Sequence, residues 1–206
     1  MTRIYFIRHA ESVANTQGVY QGQTYDTPLS PLGLKQARAL AGRLSGIKFD
    51  KVYTSPLLRC CQTAGAFTSS WQADPALLET NHGAWEGRSK TDIATVWPDL
   101  YRQWLTQPSQ VQFPGGEHFR QTLDRAASWL KSVSASGRTL AAVTHVNIIQ
   151  ALLTRLFNRP LDAIWDFPLQ PTSLTLIETH NPAQVIYWGD ANHLLRLQSD
   201  LNHHAL

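Results

Sequence analysis

The sequence contains little cysteine, few charged residues and no long apolar run. Its only two cysteines, Cys60 and Cys61, are neighbours, so we expect neither a disulfide between them nor a metal site. Such cysteine usage is typical of a reducing compartment. No stretch approaches the roughly 18 apolar residues of a membrane span, and the apolar run before Arg8 is too short for a signal peptide. We therefore expect a cytoplasmic protein that does not enter the membrane.

The charge is low and scattered along the chain. Charged residues make up 16% of the sequence, and 18 Lys and Arg against 15 Asp and Glu leave a formal net charge of +3. Because no run of Lys or Arg occurs, the pattern disfavours nucleic-acid binding. The hydrophobic content of 43% is typical of a globular core, and 206 residues suit one large domain. We expect a single domain over residues 1–206.

Strand and helix patterns alternate along the chain. Short apolar runs predict strands, and helical apolar spacing follows the first three of them. The predicted strands are 4–7, 51–54, 139–144, 173–179 and 184–189, with a turn at 180–183 between the last two. This alternation predicts an α/β fold with a mostly parallel sheet and helices on both faces.

Two helices have the same start signal, a serine followed by proline. Ser30 with Pro31 predicts the first start, and Ser55 with Pro56 predicts the second. In the first helix, one apolar face is expected to contain Leu34, Ala37, Ala41 and Leu44.

Polar side chains follow three of the predicted strands. Arg8 and His9 end the first strand, Arg59 lies in the first helical turn after the second, and His145 ends the strand at 139–144. Ligands of such sheets bind at the carboxyl ends of the strands, so we expect these residues to converge. A cation near a helix N-terminus opposes the helix dipole, which disfavours a purely structural role for Arg59.

Two arginines, two histidines and helix N-termini at one sheet edge would bind a phosphoryl group. Arginine matches phosphate oxygens with a planar fork of donors, and helix N-termini add backbone N–H groups. A neutral imidazole can attack phosphorus and form a covalent intermediate. Departure of the leaving group then needs a proton donor, for which a nearby carboxylic acid is the natural candidate.

Five segments, in order, resemble motifs of the histidine phosphatase superfamily, also called phosphoglycerate mutase-like. The matching segments are RHAES (8–12), SPLLRCCQTA (55–64), LLETNHGAWEG (77–87), PGGEHF (114–119) and AAVTHVN (141–147). The resemblance implies a three-layer α/β/α sandwich with a small cap insertion, which we expect at about 85–117. It also implies catalysis without a metal or other cofactor.

The resemblance implies a role for each matching residue. His9 would be the nucleophile, and Glu79 would be the acid that protonates the leaving group and then the base that activates water. The phosphoryl oxygens would be held by Arg8, Arg59 and His145, with Asn15 as a further hydrogen-bond donor. Glu11 and Glu86 are nearby carboxyl groups that leave the choice of acid open.

Further predictions concern a loop beside the site and the remaining histidines. Gln21 and Gly22 are expected to shape a loop beside the substrate, with Gln21 lining the pocket. Val146 stands where the family commonly has glycine, so it would contact the substrate or alter the local backbone. His118 stands where the family often has a residue that faces substrate. Four further histidines are expected to be exposed: His180, His193, His203 and His204.

Aromatic residues are concentrated in the predicted cap. Trp97, Tyr101 and Trp104 have the spacing of one helical stripe. Such a stripe usually packs in a core, although in this family the segment also lies beside the active site, so both interpretations stay open.

The sequence therefore predicts a metal-independent phosphomonoesterase that hydrolyses a small phosphorylated metabolite through phosphohistidine. Within the family, the nearest resemblance is to bacterial alpha-ribazole phosphatases. Two alternatives remain: a cofactor-dependent phosphoglycerate mutase, and a non-catalytic protein that binds a phosphorylated ligand. We expect a monomer or a homodimer.

Overall fold

A six-stranded sheet forms the centre of the computed structural model, which describes residues 1–179, 182–202 and 204–205. The strands are β1 (Thr2–Arg8), β2 (Lys51–Thr54), β3 (Gln72–Ala73), β4 (Thr139–Thr144), β5 (Leu174–Thr179) and β6 (Gln184–Asp190). Their order is β3-β2-β4-β1-β5-β6. The first four strands are parallel, while β5 pairs antiparallel with both β1 and β6. The predicted α/β fold with a mostly parallel sheet is confirmed.

Helices cover both faces of the sheet. The α-helices are α1 (Val13–Gln17), α2 (Pro31–Leu44), α3 (Leu58–Gly65), α4 (Lys90–Val96), α5 (Pro98–Thr106), α6 (Phe119–Val133) and α7 (Val146–Leu156). One apolar cluster joins the sheet to α6 and α7, and a second joins the opposite face to α2 and α3. The result is the three-layer sandwich that the resemblance implied.

Alternation along the central strands explains the two clusters. In β1, Ile4 and Phe6 pack toward α6 and α7, whereas Ile7 packs toward α2 and α3. Successive side chains of a strand point to opposite faces, so an apolar run supplies both cores. Burial of each such side chain stabilises the fold by about 1.5–3 kcal/mol.

The predicted face of α2 is partly wrong. Leu34 is 48% exposed, and the buried apolar side chains of this helix are Ala37, Leu40 and Leu44. Gly33 occupies the buried position of the first turn, where its missing side chain lets the helix approach the backbone oxygen of Glu11. Ala37 and Leu44 are buried as predicted, whereas Gly33 and Leu40 are buried where the apolar spacing predicted Leu34 and Ala41.

The predicted start of α3 is also wrong. Ser30 caps α2 as expected, by accepting a hydrogen bond from the Gly33 N–H. Ser55 does not cap α3, because its hydroxyl lies 2.9 Å from Nε2 of His145 and the helix begins only at Leu58. The same dipeptide signal thus has a different structural role at each position.

The aromatic segment forms an apolar cluster of its own. Helices α4 and α5 are separate because Trp97 lies between them in a non-helical conformation before Pro98. Trp104 is fully buried, and Trp97 and Tyr101 pack against the same cluster. The packing interpretation of the stripe is supported, whereas the role of 85–117 as a substrate cap stays a prediction.

Among the described residues, no helix is long and apolar enough to cross a membrane. The predicted turn at 180–183 includes His180 and Asn181, which lie outside the described residues.

Candidate active site

Two predicted site histidines meet at the carboxyl ends of neighbouring strands. Strands β1 and β4 end at the paired residues Arg8 and Thr144. The residue that follows each strand is a histidine, His9 after β1 and His145 after β4. The His9 N–H donates to the carbonyl of Thr144 at 2.9 Å, and the rings of His9 and His145 have centroids 5.2 Å apart. The expected convergence is therefore seen in the structure.

His9 is held in the form that a nucleophile needs. Burial and the adjacent Arg59 and Arg8 lower the pKa of His9 well below its usual value, which keeps the ring neutral near pH 7. Its Nδ1 lies 2.7 Å from the carbonyl oxygen of Ala10, which can only accept. The single ring proton is therefore on Nδ1, and Nε2 carries a free lone pair.

Arg8 is a fully buried cation at the end of β1. Burial lowers the pKa of Arg8 to about 10, so the guanidinium stays charged at neutral pH. Nη1 donates to the carbonyl of Leu169, and Nη2 lies 3.0 Å from Nδ1 of His204. Within the described part of the chain, Nε has no hydrogen-bond partner and remains able to donate to a ligand.

Arg59 is the second buried cation, and Asp26 compensates its unfavourable place at a helix N-terminus. Nη1 donates to Asp26 at 3.0 Å, and the same carboxylate accepts from the Leu58 N–H in the first turn of α3. Nη2 donates to the Gly22 carbonyl at 2.9 Å. Asp26 thus neutralises the arginine and caps the helix, a role that sequence reasoning missed because the two segments meet only in the fold.

His145 lies behind Arg59 and does not line the cavity between the arginines. Its Nδ1 is 3.3 Å from Nη2 of Arg59 and its Nε2 is 2.9 Å from the Ser55 hydroxyl. Burial and Arg59 lower the pKa of His145 well below its usual value, so the ring is neutral. Its predicted contact with phosphoryl oxygens stays a prediction, because both ring nitrogens are engaged by the protein.

Glu79 is a buried carboxyl group that lines the same cavity. Burial raises the pKa of Glu79 to about 7, against the opposing effects of the Thr80 N–H and the nearby arginines. A carboxyl group with such a pKa can hold a proton near neutral pH and release it during a reaction.

The remaining predicted binding residues also line the cavity. Asn15 accepts from the Ser12 N–H through its side-chain oxygen, and the Ser12 hydroxyl lies 2.9 Å from the Gln21 side-chain oxygen. Gly22 has a φ of +51°, and an added Cβ would lie 1.9 Å from a carboxylate oxygen of Glu86. A side chain at position 22 would therefore be strained and would displace the Glu86 carboxylate.

The cavity has a volume of about 20 Å³. It is lined by eight predicted residues, Arg8, His9, Asn15, Gln21, Gly22, Arg59, Glu79 and Val146, and by three that were not singled out, His82, Asn147 and Ala205. His82 and Asn147 lie inside the family-like segments, so their neighbourhood was visible in the sequence although their function was not. No sequence signal pointed to Ala205.

His82 and Asn147 give the cavity a polar but uncharged wall. Nδ2 of Asn147 lies 3.3 Å from Nε2 of His82. Burial lowers the pKa of His82 to about 3, so this ring is neutral. Nδ1 of His82 and Oδ1 of Asn147 are buried and have no hydrogen-bond partner within the described chain.

Three histidine predictions are corrected or qualified. His118 does not line the cavity but caps α6, where its ring accepts from the Arg120 N–H. His204 was expected to be exposed, yet it is 1% exposed because the chain folds back onto Arg8. His193 is half-buried, with a ring nitrogen 3.0 Å from the Thr172 hydroxyl, whereas His180 and His203 lie outside the described residues.

Cys60 and Cys61 are free thiols, and Cys60 packs beneath His145. Across the described residues, no group of three or more His, Cys, Asp or Glu side chains has the arrangement of a metal site. Catalysis without a metal stays a prediction.

Sequence comparisons with known proteins show to which family the chain belongs. Residues 4–190 match the Histidine phosphatase superfamily (branch 1). The chain is 31% identical over 192 residues to phosphoserine phosphatase 1 of Hydrogenobacter thermophilus, with 90% of each chain covered. It is 31% identical over 171 residues to the adenosylcobalamin/alpha-ribazole phosphatase of Escherichia coli, with 80% of this chain and 84% of that protein covered.

Solved structures show the same fold. Bacillus stearothermophilus YhfR superposes with a TM-score of 0.89 at 28% identity, covering 94% of this chain and all of that one. The fold, the buried histidines and arginines at the sheet edge, and these relatives together define an α/β enzyme that acts on phosphate esters. The chain belongs to the histidine phosphatase superfamily, branch 1. The predicted family and the predicted class, a phosphoric monoester hydrolase acting on small molecules, are confirmed.

Proposed function

We propose that this protein hydrolyses a small phosphorylated metabolite through a phosphohistidine formed on Nε2 of His9. The observation that carries the proposal is the neutral His9 ring, whose Nδ1 donates to the Ala10 carbonyl beside two buried arginines. Nε2 attacks phosphorus while the bond from phosphorus to the leaving oxygen breaks. The guanidinium groups of Arg8 and Arg59 stabilise the charge on the transferring oxygens.

Glu79 supplies and recovers the proton. As a carboxylic acid it protonates the leaving oxygen, which departs as an alcohol. The resulting carboxylate then takes a proton from water as the water oxygen attacks phosphorus. The bond between phosphorus and Nε2 breaks, inorganic phosphate leaves, and Glu79 is again protonated. No metal or other cofactor takes part in these steps.

The leaving group would face the wall formed by His82 and Asn147. Because both side chains are uncharged and each has a polar atom with no partner among the residues that the structure describes, they suit a leaving group with hydrogen-bonding substituents close to the ester. Phosphoserine and alpha-ribazole phosphate both meet this description, and the two relatives named for them are each 31% identical to this chain, over 192 and 171 residues respectively. The substrate is therefore to be determined with a panel. We also propose that the protein is cytoplasmic and that it is a monomer or a homodimer.

The test is phosphate release from a panel of phosphomonoesters, with a chelator present throughout. We expect wild type to release phosphate and His9→Ala to lose at least about 10²-fold in kcat/KM while keeping its fold. The matched control is His118→Asn, which removes a histidine outside the cavity and leaves a residue suited to capping α6. Acid-labile phosphate on wild type, absent from His9→Ala, would identify the intermediate.

Two results would contradict the proposal. Full activity of His9→Ala would exclude His9 as the nucleophile, and activity that disappears with chelator and returns with a divalent ion would exclude the metal-free steps. If wild type releases no phosphate but interconverts the phosphoglycerate isomers once a bisphosphoglycerate is added, the mutase alternative is favoured. If it releases none but binds phosphate, the non-catalytic alternative is favoured.

A further inference from the structure

A short 3₁₀ helix, Asn192–Leu197, is followed by a segment that runs back toward the active site. Ser199 fixes this segment to the rest of the protein. The Ser199 hydroxyl donates to Glu11 at 2.6 Å, and its N–H donates to the side-chain oxygen of Gln170 at 3.1 Å. The Gln36 amide donates to the same hydroxyl at 2.9 Å. Ser199 is buried, so these contacts fix the segment to the end of β1 and to α2.

Beyond this anchor, His204 lies between a buried cation and a buried anion. Its Nδ1 is 3.0 Å from Nη2 of Arg8, and its Nε2 is 3.7 Å from a carboxylate oxygen of Glu11. A guanidinium can only donate, so Nδ1 accepts and the ring proton lies on Nε2, facing Glu11. The residues therefore form a chain from Glu11 through His204 to Arg8.

Glu11 has no part in the proposed reaction, although it is a buried carboxylate. It accepts from the hydroxyls of Ser30 and Ser199, both at 2.6 Å, and does not line the cavity around His9. A carboxylate beside an imidazole fixes which ring nitrogen carries the proton. Glu11 thus keeps His204 in the one neutral form that can accept from Arg8.

We propose that His204 is a positioning residue that sets the orientation of Arg8 at the phosphate site. Leu169 and His204 hold the two terminal nitrogens of Arg8, which leaves the buried Nε without a partner among the described residues and available for a phosphoryl oxygen. A guanidinium that is fixed before the ligand arrives stabilises the transition state without reorganisation. The inference rests on the proposed function, in which Arg8 binds the phosphoryl group.

The contact between His204 and Arg8 lies at the edge of the cavity around His9. Ala205, the residue after His204, lines this cavity. Lys90 donates to the Asn202 carbonyl at 3.1 Å, which adds a backbone contact to the same part of the chain.

The test compares three replacements of His204 in the full chain. The amide oxygen of asparagine lies near the place of Nδ1, whereas glutamine extends toward the place of Nε2 and away from Arg8. We expect His204→Ala and His204→Gln to lower kcat/KM by about 10–100-fold, the range for a hydrogen bond to a charged group. We expect His204→Asn to stay within a few-fold of wild type.

Binding of inorganic phosphate, measured by calorimetry, supplies the second readout. The affinity should weaken with Ala and Gln by a similar factor and recover with Asn, a pattern that general loosening of the segment would not produce. Asn202→Ala is the matched control, because it removes an exposed side chain from the same segment and leaves the backbone contact to Lys90. Thermal unfolding of each variant confirms that it is folded.

The outcomes separate this inference from the proposed function. Activity and phosphate affinity equal to those of wild type in all three variants would overturn the role of His204. An Asn variant with no more activity and no higher phosphate affinity than the Ala variant would also overturn it. A wild type that hydrolyses no ester would overturn the proposed function, yet the phosphate affinities would still decide whether His204 positions Arg8. A wild type that does not bind phosphate would overturn both.

Discussion

Glu79 is the residue whose ionisation should set the pH dependence of the reaction. Because burial raises its pKa to about 7, the acid form needed to protonate the leaving group is lost as the pH rises through that value. The pKa of His9, the proposed nucleophile, lies well below its usual value, so its ring stays neutral on the acid side of pH 7. We expect kcat/KM to fall above about pH 7, which a pH–rate profile with a poor leaving group measures.

The Glu79→Gln variant tests the same residue by a different route. It should lose the fall above pH 7 and slow the hydrolysis of alkyl phosphates by about 10²–10⁴-fold. The loss should be smallest for p-nitrophenyl phosphate, whose leaving group needs no proton. Glu178→Gln, at the Arg3 ion pair at the far end of β1, is the control. Equal slowing of good and poor leaving groups would exclude Glu79 as the acid.

The sequence predicted site residues correctly where they directly follow a strand. It did not predict residues that contact the site from segments distant in the sequence. Arg8, His9 and His145 were placed correctly because the ends of parallel strands meet at one edge of the sheet. Asp26 and His204 reach the arginines from distant segments, so no local pattern pointed to them. Likewise, the position of His145 behind Arg59 depends on side-chain contacts that the sequence does not contain.

At the scale of elements, the Glu86 carboxylate joins two loops, the first at residues 22–24 and the second at His82. Glu86 accepts from the N–H groups of Gln23 at 3.0 Å and Thr24 at 2.6 Å, and from the His82 N–H at 2.9 Å. The first loop carries the Gly22 carbonyl that holds Arg59. Glu86 thus connects the arginine to the segment that carries His82, and nothing in its contacts indicates proton transfer.

We expect Glu86→Gln to loosen this connection, because an amide has only one accepting oxygen. The expected loss is about 10-fold in kcat/KM, comparable with one or two hydrogen bonds at about 0.5–1.5 kcal/mol each. The loss should be the same for good and poor leaving groups, and the fall above pH 7 should remain. A series of esters with different leaving groups measures this. A loss that grows as the leaving group becomes poorer would instead assign Glu86 a share in acid catalysis.

Element prediction was accurate for the strands and less accurate at helix starts and faces. The predicted strands at 51–54 and 139–144 coincide with β2 and β4. Strand β4 has the continuous apolar sequence of a buried parallel strand, whereas β2 is short and buries alternate residues. The Ser-Pro signal failed at Ser55 because Asp26 caps α3 from another segment. The two-residue strand β3 is too short to leave a periodic pattern.

For the whole molecule, buried neutral histidines should make stability depend on pH. The pKa values of His9, His82 and His145 are all lowered by burial, so below about pH 6.5 the unfolded chain binds protons that the folded chain does not. Each contributes at most about 1.4 kcal/mol per pH unit to a fall in the free energy of unfolding as the pH drops. Glu79, with its raised pKa, contributes in the opposite direction between about pH 4.5 and 7.

Three histidines outweigh one carboxyl group, so we expect the free energy of unfolding to increase from pH 5 to pH 6.5. Urea denaturation at each pH measures it. His82→Gln keeps an oxygen that can accept from Asn147 and removes one titrating ring, so the slope should become smaller. A free energy that decreases over this range, or an unchanged slope in the variant, would contradict the assignment.

The position of β1 has a consequence for synthesis of the chain. This strand carries Arg8 and His9, yet its neighbours in the sheet are β4 and β5, and Arg8 also meets a side chain 196 positions away. During translation, His9 therefore leaves the ribosome before either neighbour of its strand has been made, and β1 stays unpaired until β4 and β5 follow. A chain interrupted before residue 174 would keep β1 unpaired on one side, exposed to aggregation, and would have no hydrolytic activity.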